Sequence, residues 1–256
     1  MRSRTQMKLN GPNRSPVLLV HGAFAGAWIW EGAFLDSLAN MGRSAVAIDL
    51  RGKAGDAPED DQKLSYEAVM FRQIEEFDTP PVVIAHSLGA LLAQRLLGRT
   101  QIAALVMLAP VPPEGMSFIT PFLFATEPSM WQGLLHFLCG RRDNVFDGVV
   151  EILFPKRFRE TGVEQHAAKL VFESVAAIFE AHVPAPVVPA FVVGVPSLVV
   201  AGAEDRLISP LASVRTALYH GAEYRTEDEL GHFMQAGPGA QRLAEFILDW
   251  LEQKRL

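Results

Sequence analysis

A single cysteine, Cys139, occurs in 256 residues, so no disulfide can close within the chain and no cysteine-based metal cluster can form. One thiol fits a reducing compartment. Basic runs are also missing. The net charge is −6, and acidic groups gather at Asp56, Glu59, Asp60, Asp61 and again at Glu223, Glu227, Asp228, Glu229. Nothing here would track a phosphate backbone, which excludes nucleic acid as a partner. No His-Glu-x-x-His metal motif is present, nor a glycine-rich phosphate loop with its lysine, so no metal or cofactor is expected. Residues 1–16 are polar, and the apolar run that follows, 17–20, is too short for a signal-peptide core. The expected location is the cytoplasm. One stretch, 183–203, runs 21 residues without a charge. Four prolines within it (184, 186, 189, 196) disfavour a continuous helix, so it reads as an extended linker entering a buried strand, and no membrane span is expected.

What remains is the balance of a soluble globular chain: 49% apolar and 20% charged residues, with length for one large α/β domain or two small ones. Short β-branched apolar runs at 17–20, 45–48, 82–85, 102–108 and 198–201 read as buried parallel strands, with a further strand near 223–226 and an edge strand or disordered segment at 7–10. Helical patterns separate them: 29–41 with a stripe of Trp30, Phe34, Leu35 and Leu38; a helix capped by Ser65; another from 90 to about 98; 210–219; and a closing helix from 238 to 252 carrying Leu243, Phe246, Ile247 and Trp250. Strands alternating with helices predict an α/β fold with a mainly parallel central sheet and helices on both faces. The rhythm breaks between 110 and 191, where helical patterns lie around 128–138, 144–153 and 163–181. The expected organisation is a core built from 1–109 and 192–256, with 110–191 inserted as a helical cap.

In such sheets ligands bind outside the carboxyl ends of the strands. His21, Asp49, Ser87, Pro110, Asp205 and His232 all follow strand ends, so one rim collects them. Among them, Ser87 sits in Ala85-His86-Ser87-Leu88-Gly89 at the junction of an apolar strand and a helix. A tight turn there would push its hydroxyl out of the sheet and aim the first helical N–H groups at the same point. An ordinary serine near a helix N-cap is the simpler account of the pentapeptide alone. A serine nucleophile needs a base. Of seven histidines, His136, His166 and His182 fall in the insertion, His220 ends a helix, His86 should point away from its neighbour, and His21 should order its own loop. His232, on the loop after the last strand, can swing toward a central serine. Asp205, after the penultimate strand, is the acid placed to orient it, with Glu204 a substitute and Asp49 and Asp228 more distant. The oxyanion donors expected are the backbone N–H groups of Leu88 and Ala23, with Phe24 as the fallback.

The order Ser87, Asp205, His232, with His21-Gly22 after an early strand, resembles the α/β-hydrolase superfamily over essentially the whole chain, and the turn at Ser87 looks like its nucleophile elbow, with Ala85 in place of the usual first glycine. The segment from His21 to Trp30 is similar to the plant methylesterase and hydroxynitrile lyase group. The lyases of that group are understood to need a threonine where Gly22 stands and a lysine after the catalytic histidine, where this chain has Phe233. A serine at 87 also departs from the aspartate of the superfamily's epoxide hydrolases and dehalogenases. The resemblance thus implies a serine hydrolase of carboxylic esters, lactones or thioesters. A cofactor-free oxygenase or a lyase on this fold, and a non-catalytic small-ligand receptor, are the rival readings. Ten of the 16 phenylalanines lie in 110–191, so the insertion is expected to wall the pocket with Phe118, Phe122 and Trp131, beside Phe24, Trp28 and Phe233. That wall predicts a small, uncharged, moderately hydrophobic acyl substrate. A homo-oligomer stays open.

Overall fold

The computed structural model describes residues 5–7, 14–51, 65–129, 131–132, 150, 152–154, 164–171, 173 and 175–256. Seven strands form one sheet: β1 (Thr5–Met7), β2 (Val17–Val20), β3 (Ala45–Ile48), β4 (Val82–His86), β5 (Ala104–Leu108), β6 (Ser197–Gly202) and β7 (Glu223–Glu227). Their spatial order is β1-β3-β2-β4-β5-β6-β7. β1 pairs antiparallel with β3, and every other neighbouring pair is parallel. The middle strands are short, apolar and rich in β-branched residues because both their faces are covered. Alternate side chains serve opposite layers. Val17, Leu19, Val82, Ile84, Val106 and Val200 pack with Phe34 and Leu38 of α1 (Ala33–Asn40) and with Leu243 and Ile247 of the closing helix. Leu18, Val20, Val83, Ala85, Leu105 and Val199 pack on the other face, against Met70 and Ile74 of α2 (Tyr66–Glu75), Leu92 and Leu96 of α3 (Leu88–Leu96) and Ala217.

After β5 the chain forms α4 (Thr120–Thr126), α5 (Glu164–Ala167) and α6 (Val175–His182) before returning to the sheet. α7 (Pro210–His220) and α8 (Ala240–Gln253) follow β6 and β7. Ser65 caps α2, its hydroxyl accepting from Ala68 N–H at 3.2 Å, and Ser209 caps α7 in the same way.

The structure redraws several boundaries. The helix expected over 29–41 is a 3-10 turn (Ala27–Trp30) followed by α1, because Gly32 between them takes φ 77°. Its stripe of Trp30, Phe34, Leu35 and Leu38 is nevertheless buried. The pattern over 163–181 is split into α5 and α6, and Leu170, Val171 and Glu173 lie between them outside regular secondary structure. The proline-bearing stretch 183–203 forms a 3-10 turn (Ala190–Val193) and then β6. The expectations for 128–138 and 144–153, with His136 and Cys139, lie mostly outside the described residues. No helix among the described residues is long and apolar enough to cross a membrane.

The chain runs from β2 outward to β3 and then back past β2 to β4. Crossovers therefore leave β2 and β4 in opposite directions, and the loops beyond their carboxyl ends part to form a crevice. The His21-Gly22 loop and Ser87 stand at that opening.

Candidate active site

β4 ends at His86, and α3 starts at Leu88, so Ser87 alone makes the turn. It does so at φ 51° and ψ −116°. Its hydroxyl donates to His232 Nε2 at 2.9 Å, and His232 Nδ1–H donates to Asp205 Oδ2 at 2.8 Å. Asp205 cannot turn away, because its Oδ1 accepts from Leu207 N–H and Ile208 N–H, both at 2.8 Å. With Nδ1 carrying the proton, Nε2 presents its lone pair to the serine, the protonation state a general base requires. All three groups are buried: Ser87 is 3% exposed, Asp205 6% and His232 1%.

The neighbouring histidines have other tasks. His86 Nε2–H donates to the His232 carbonyl at 2.9 Å and so fixes the backbone that carries the His232 ring. Complete burial, and after it the nearby His232 ring, hold His86 well below the usual histidine range, keeping it neutral. His21 accepts from Leu50 N–H and ties its Nδ1 side to the Gly22 carbonyl. It orders its own loop, as its position suggests. Gly22 leaves room for the turn: a Cβ there would stand 2.7 Å from both His86 Nδ1 and Ser87 Cβ.

The backbone N–H groups of Ala23 and Leu88 donate to no other described residue. Both residues border the cavity beside Ser87. The Phe24 N–H, the fallback donor, is engaged elsewhere. It donates at 2.7 Å to Glu173 Oε1. That carboxyl group also accepts from Arg51 Nη1 at 3.2 Å, and Tyr66 O–H donates to its Oε2 at 2.5 Å. Burial, and then the carboxylate it faces, push the Tyr66 phenol far above its ordinary range, so it keeps its proton. Burial pushes Asp49 upward, but the His21 ring and Arg51 beside it outweigh that and hold its carboxyl below the usual value.

Above Ser87 lies a cavity of about 290 Å³. Val111, Met116, Leu123, Ile178 and Leu207 give it an almost wholly apolar wall, and Trp131 stands in it as expected. Phe24 borders it too, as expected, and the remaining aromatic expectations fall elsewhere. Phe118 and Phe122 are 67% and 59% exposed and border an outer groove with Leu211 and Arg215. They occupy the solvent side of the turn and helix over 116–126, whose Leu123 faces inward. Phe233 is 1% exposed and packs edge-on against Phe154 in the core, with its backbone N–H donating to the Leu153 carbonyl. Trp28 is covered by His166 and Lys169 rather than by the cavity. Composition marked the insertion as aromatic but could not say which rings face in. Glu173 was not foreseen, and neither was the pair at the far wall, where Thr120 O–H donates to His182 Nε2 at 2.8 Å.

Residues 17–245 match the model of the alpha/beta hydrolase family. The chain belongs to that family. No curated protein matches the sequence. Among solved structures, MenH from S. aureus superposes with a TM-score of 0.74 at 14% identity, covering 100% of both chains. A thermophilic esterase from Thermogutta terrifontis gives 0.71 at 16% identity over 99% of this chain and 94% of that one. Polyneuridine aldehyde esterase gives 0.67 at 16% identity over 93% and 99%. At these identities the likeness is one of fold.

Proposed function

We propose that this alpha/beta hydrolase is a cofactor-independent serine hydrolase of small, moderately hydrophobic carboxylic esters, with lactones and thioesters as related substrates. The observation that carries this reading is the unbroken line from Asp205 through His232 to Ser87, opening into an apolar cavity. His232 Nε2 takes the Ser87 proton as Oγ attacks the carbonyl carbon. The N–H groups of Ala23 and Leu88 receive the oxygen as it becomes anionic, the second at the positive end of α3. The tetrahedral intermediate collapses, His232 protonates the departing alcohol, and water activated by the same histidine hydrolyses the acyl-enzyme.

Residues 110–191 act as the cap, with 1–109 and 192–256 as the core. This division is supported by Val111, Met116, Leu123, Ile178 and Trp131, which come from the inserted stretch and meet the cavity opposite Ser87. A cavity of about 290 Å³ suits a short acyl chain or one aromatic ring. The first experiment is Ser87→Ala assayed on a panel of acyl esters, lactones and thioesters. Turnover and fluorophosphonate labelling should both vanish. A variant that keeps wild-type ester turnover would remove Ser87 from the mechanism.

A further inference from the structure

The inserted stretch does more than wall the cavity: it grips the loop that carries one oxyanion donor. Phe24 is held from both sides by residues two apart in sequence. Its N–H donates to Glu173 Oε1 at 2.7 Å, and its carbonyl accepts from Val171 N–H at 3.0 Å. Between these ties Phe24 takes φ 64°, a left-handed conformation that costs a bulky L-residue free energy. Arg51 adds a third tie, donating to the carbonyl of Ala25. The Glu173 side chain is 1% exposed, and it is addressed by three donors: Phe24 N–H, Arg51 Nη1 and Tyr66 O–H.

We propose that Glu173 is a positioning residue for the oxyanion hole, holding Phe24 in its left-handed turn so that the preceding Ala23 N–H faces the carbonyl oxygen beside Ser87. The inference rests on the serine-hydrolase reading. The Phe24 N–H belongs to the 23–24 peptide, so its bond to Glu173 fixes that plane and the Ala23 Cα, leaving only the two dihedrals of Ala23 between it and the 22–23 peptide that carries the Ala23 N–H. Glu173 also engages the Phe24 N–H, which leaves Ala23 as the loop's donor to the oxyanion. A carboxylate beside a developing negative charge would oppose it, and Arg51, 3.2 Å from Glu173, supplies the balancing charge. Tyr66 fixes the second carboxyl oxygen, so the group cannot rotate away from Phe24.

The test compares Glu173→Ala and the near-isosteric Glu173→Gln on p-nitrophenyl butyrate, with an aryl trifluoromethyl ketone as the mimic of the tetrahedral adduct. In Glu173→Ala, kcat should fall about 10- to 100-fold, with KM changed less than about threefold. Ketone affinity should weaken by a similar factor. Glu173→Gln keeps an oxygen for the Phe24 N–H and should recover kcat to within about threefold of wild type. A general loss of folded protein would move melting temperature and active-site titre, not the split between kcat and KM. An ester-active wild type whose Glu173→Ala variant keeps both kcat and ketone affinity overturns this inference alone. So does a Glu173→Gln variant that loses as much as Glu173→Ala. A wild type that hydrolyses no ester and takes no fluorophosphonate overturns the serine-hydrolase reading, and this inference with it.

Discussion

Ser87 holds a backbone state that costs an L-residue roughly 1–3 kcal/mol, and the ties around it explain why the state persists. Its N–H donates to the Leu108 carbonyl, and its own carbonyl accepts from Ala90, Leu91 and Val111. Asp205 is constrained in the same manner. Two N–H groups occupy Oδ1, which leaves Oδ2 for His232. Replacing Asp205 by Asn keeps the shape but can present an NH₂ group to Nδ1. The imidazole would then carry its proton on Nε2 and could not accept the one on Ser87. Ester turnover in Asp205→Asn should drop by about three orders of magnitude while the melting temperature stays close to wild type. Steady-state kinetics beside thermal unfolding measure both, and a fall of less than tenfold would mean that Asp205 does not set the tautomer.

The joint between β2 and α3 is where two elements come closest. A Cβ on Gly89 would press into the His21 carbonyl and stand 2.9 Å from Val20 Cγ1. The first is backbone and cannot yield without displacing the His21-Gly22 loop. Gly89→Ala should therefore cost about 3 kcal/mol or more in denaturant unfolding and depress ester turnover at the same time. A variant of unchanged stability would show that α3 can slide along β4. This joint also explains how much could be read without coordinates. The buried strands announce themselves as short β-branched runs, and an alternating chain puts the residues after them on one rim, so Ser87, Asp205 and His232 could be picked out individually. The break at Gly32 was less visible, because the apolar stripe runs through it unbroken. Glu173 gave no signal at all. It stands outside regular secondary structure between two short helices and meets Phe24, Tyr66 and Arg51 across 149, 107 and 122 residues. Aromatic content had the converse fault, since Phe118 and Trp131 are equally apolar and only one of them faces the cavity.

The stability of the fold as a whole should depend on pH through a buried group outside the Ser87–His232–Asp205 line. His220 closes α7 and is fully buried. Its Nδ1 accepts from Ala190 N–H at 3.1 Å, so Nε2 bears the hydrogen and donates to Gln94 Oε1 at 3.1 Å. The Gln94 amide in turn donates to the carbonyls of Ala90 and Val111. One neutral imidazole thus links α7, α3, the turn before β6 and the chain leaving β5. Burial drives its pKa down from 6.5 to about 4. A second proton would also set Nδ1–H against the Ala190 N–H. Between these two values the unfolded chain holds a proton that the folded protein refuses. Stability should therefore be full above pH 6.5, decline as the pH falls toward about 4, and lose nothing further from this group below that. The span amounts to roughly 3 kcal/mol for an isolated site. His86, lowered by burial as well, adds to the same limb. His220→Gln removes the titrating group while leaving an amide that can still bond Gln94. Its unfolding free energy, measured by denaturant titration from neutral pH downward, should fall less steeply with acid than that of the wild type. Two parallel curves would assign the acid sensitivity to other groups and leave His220 as a purely neutral link.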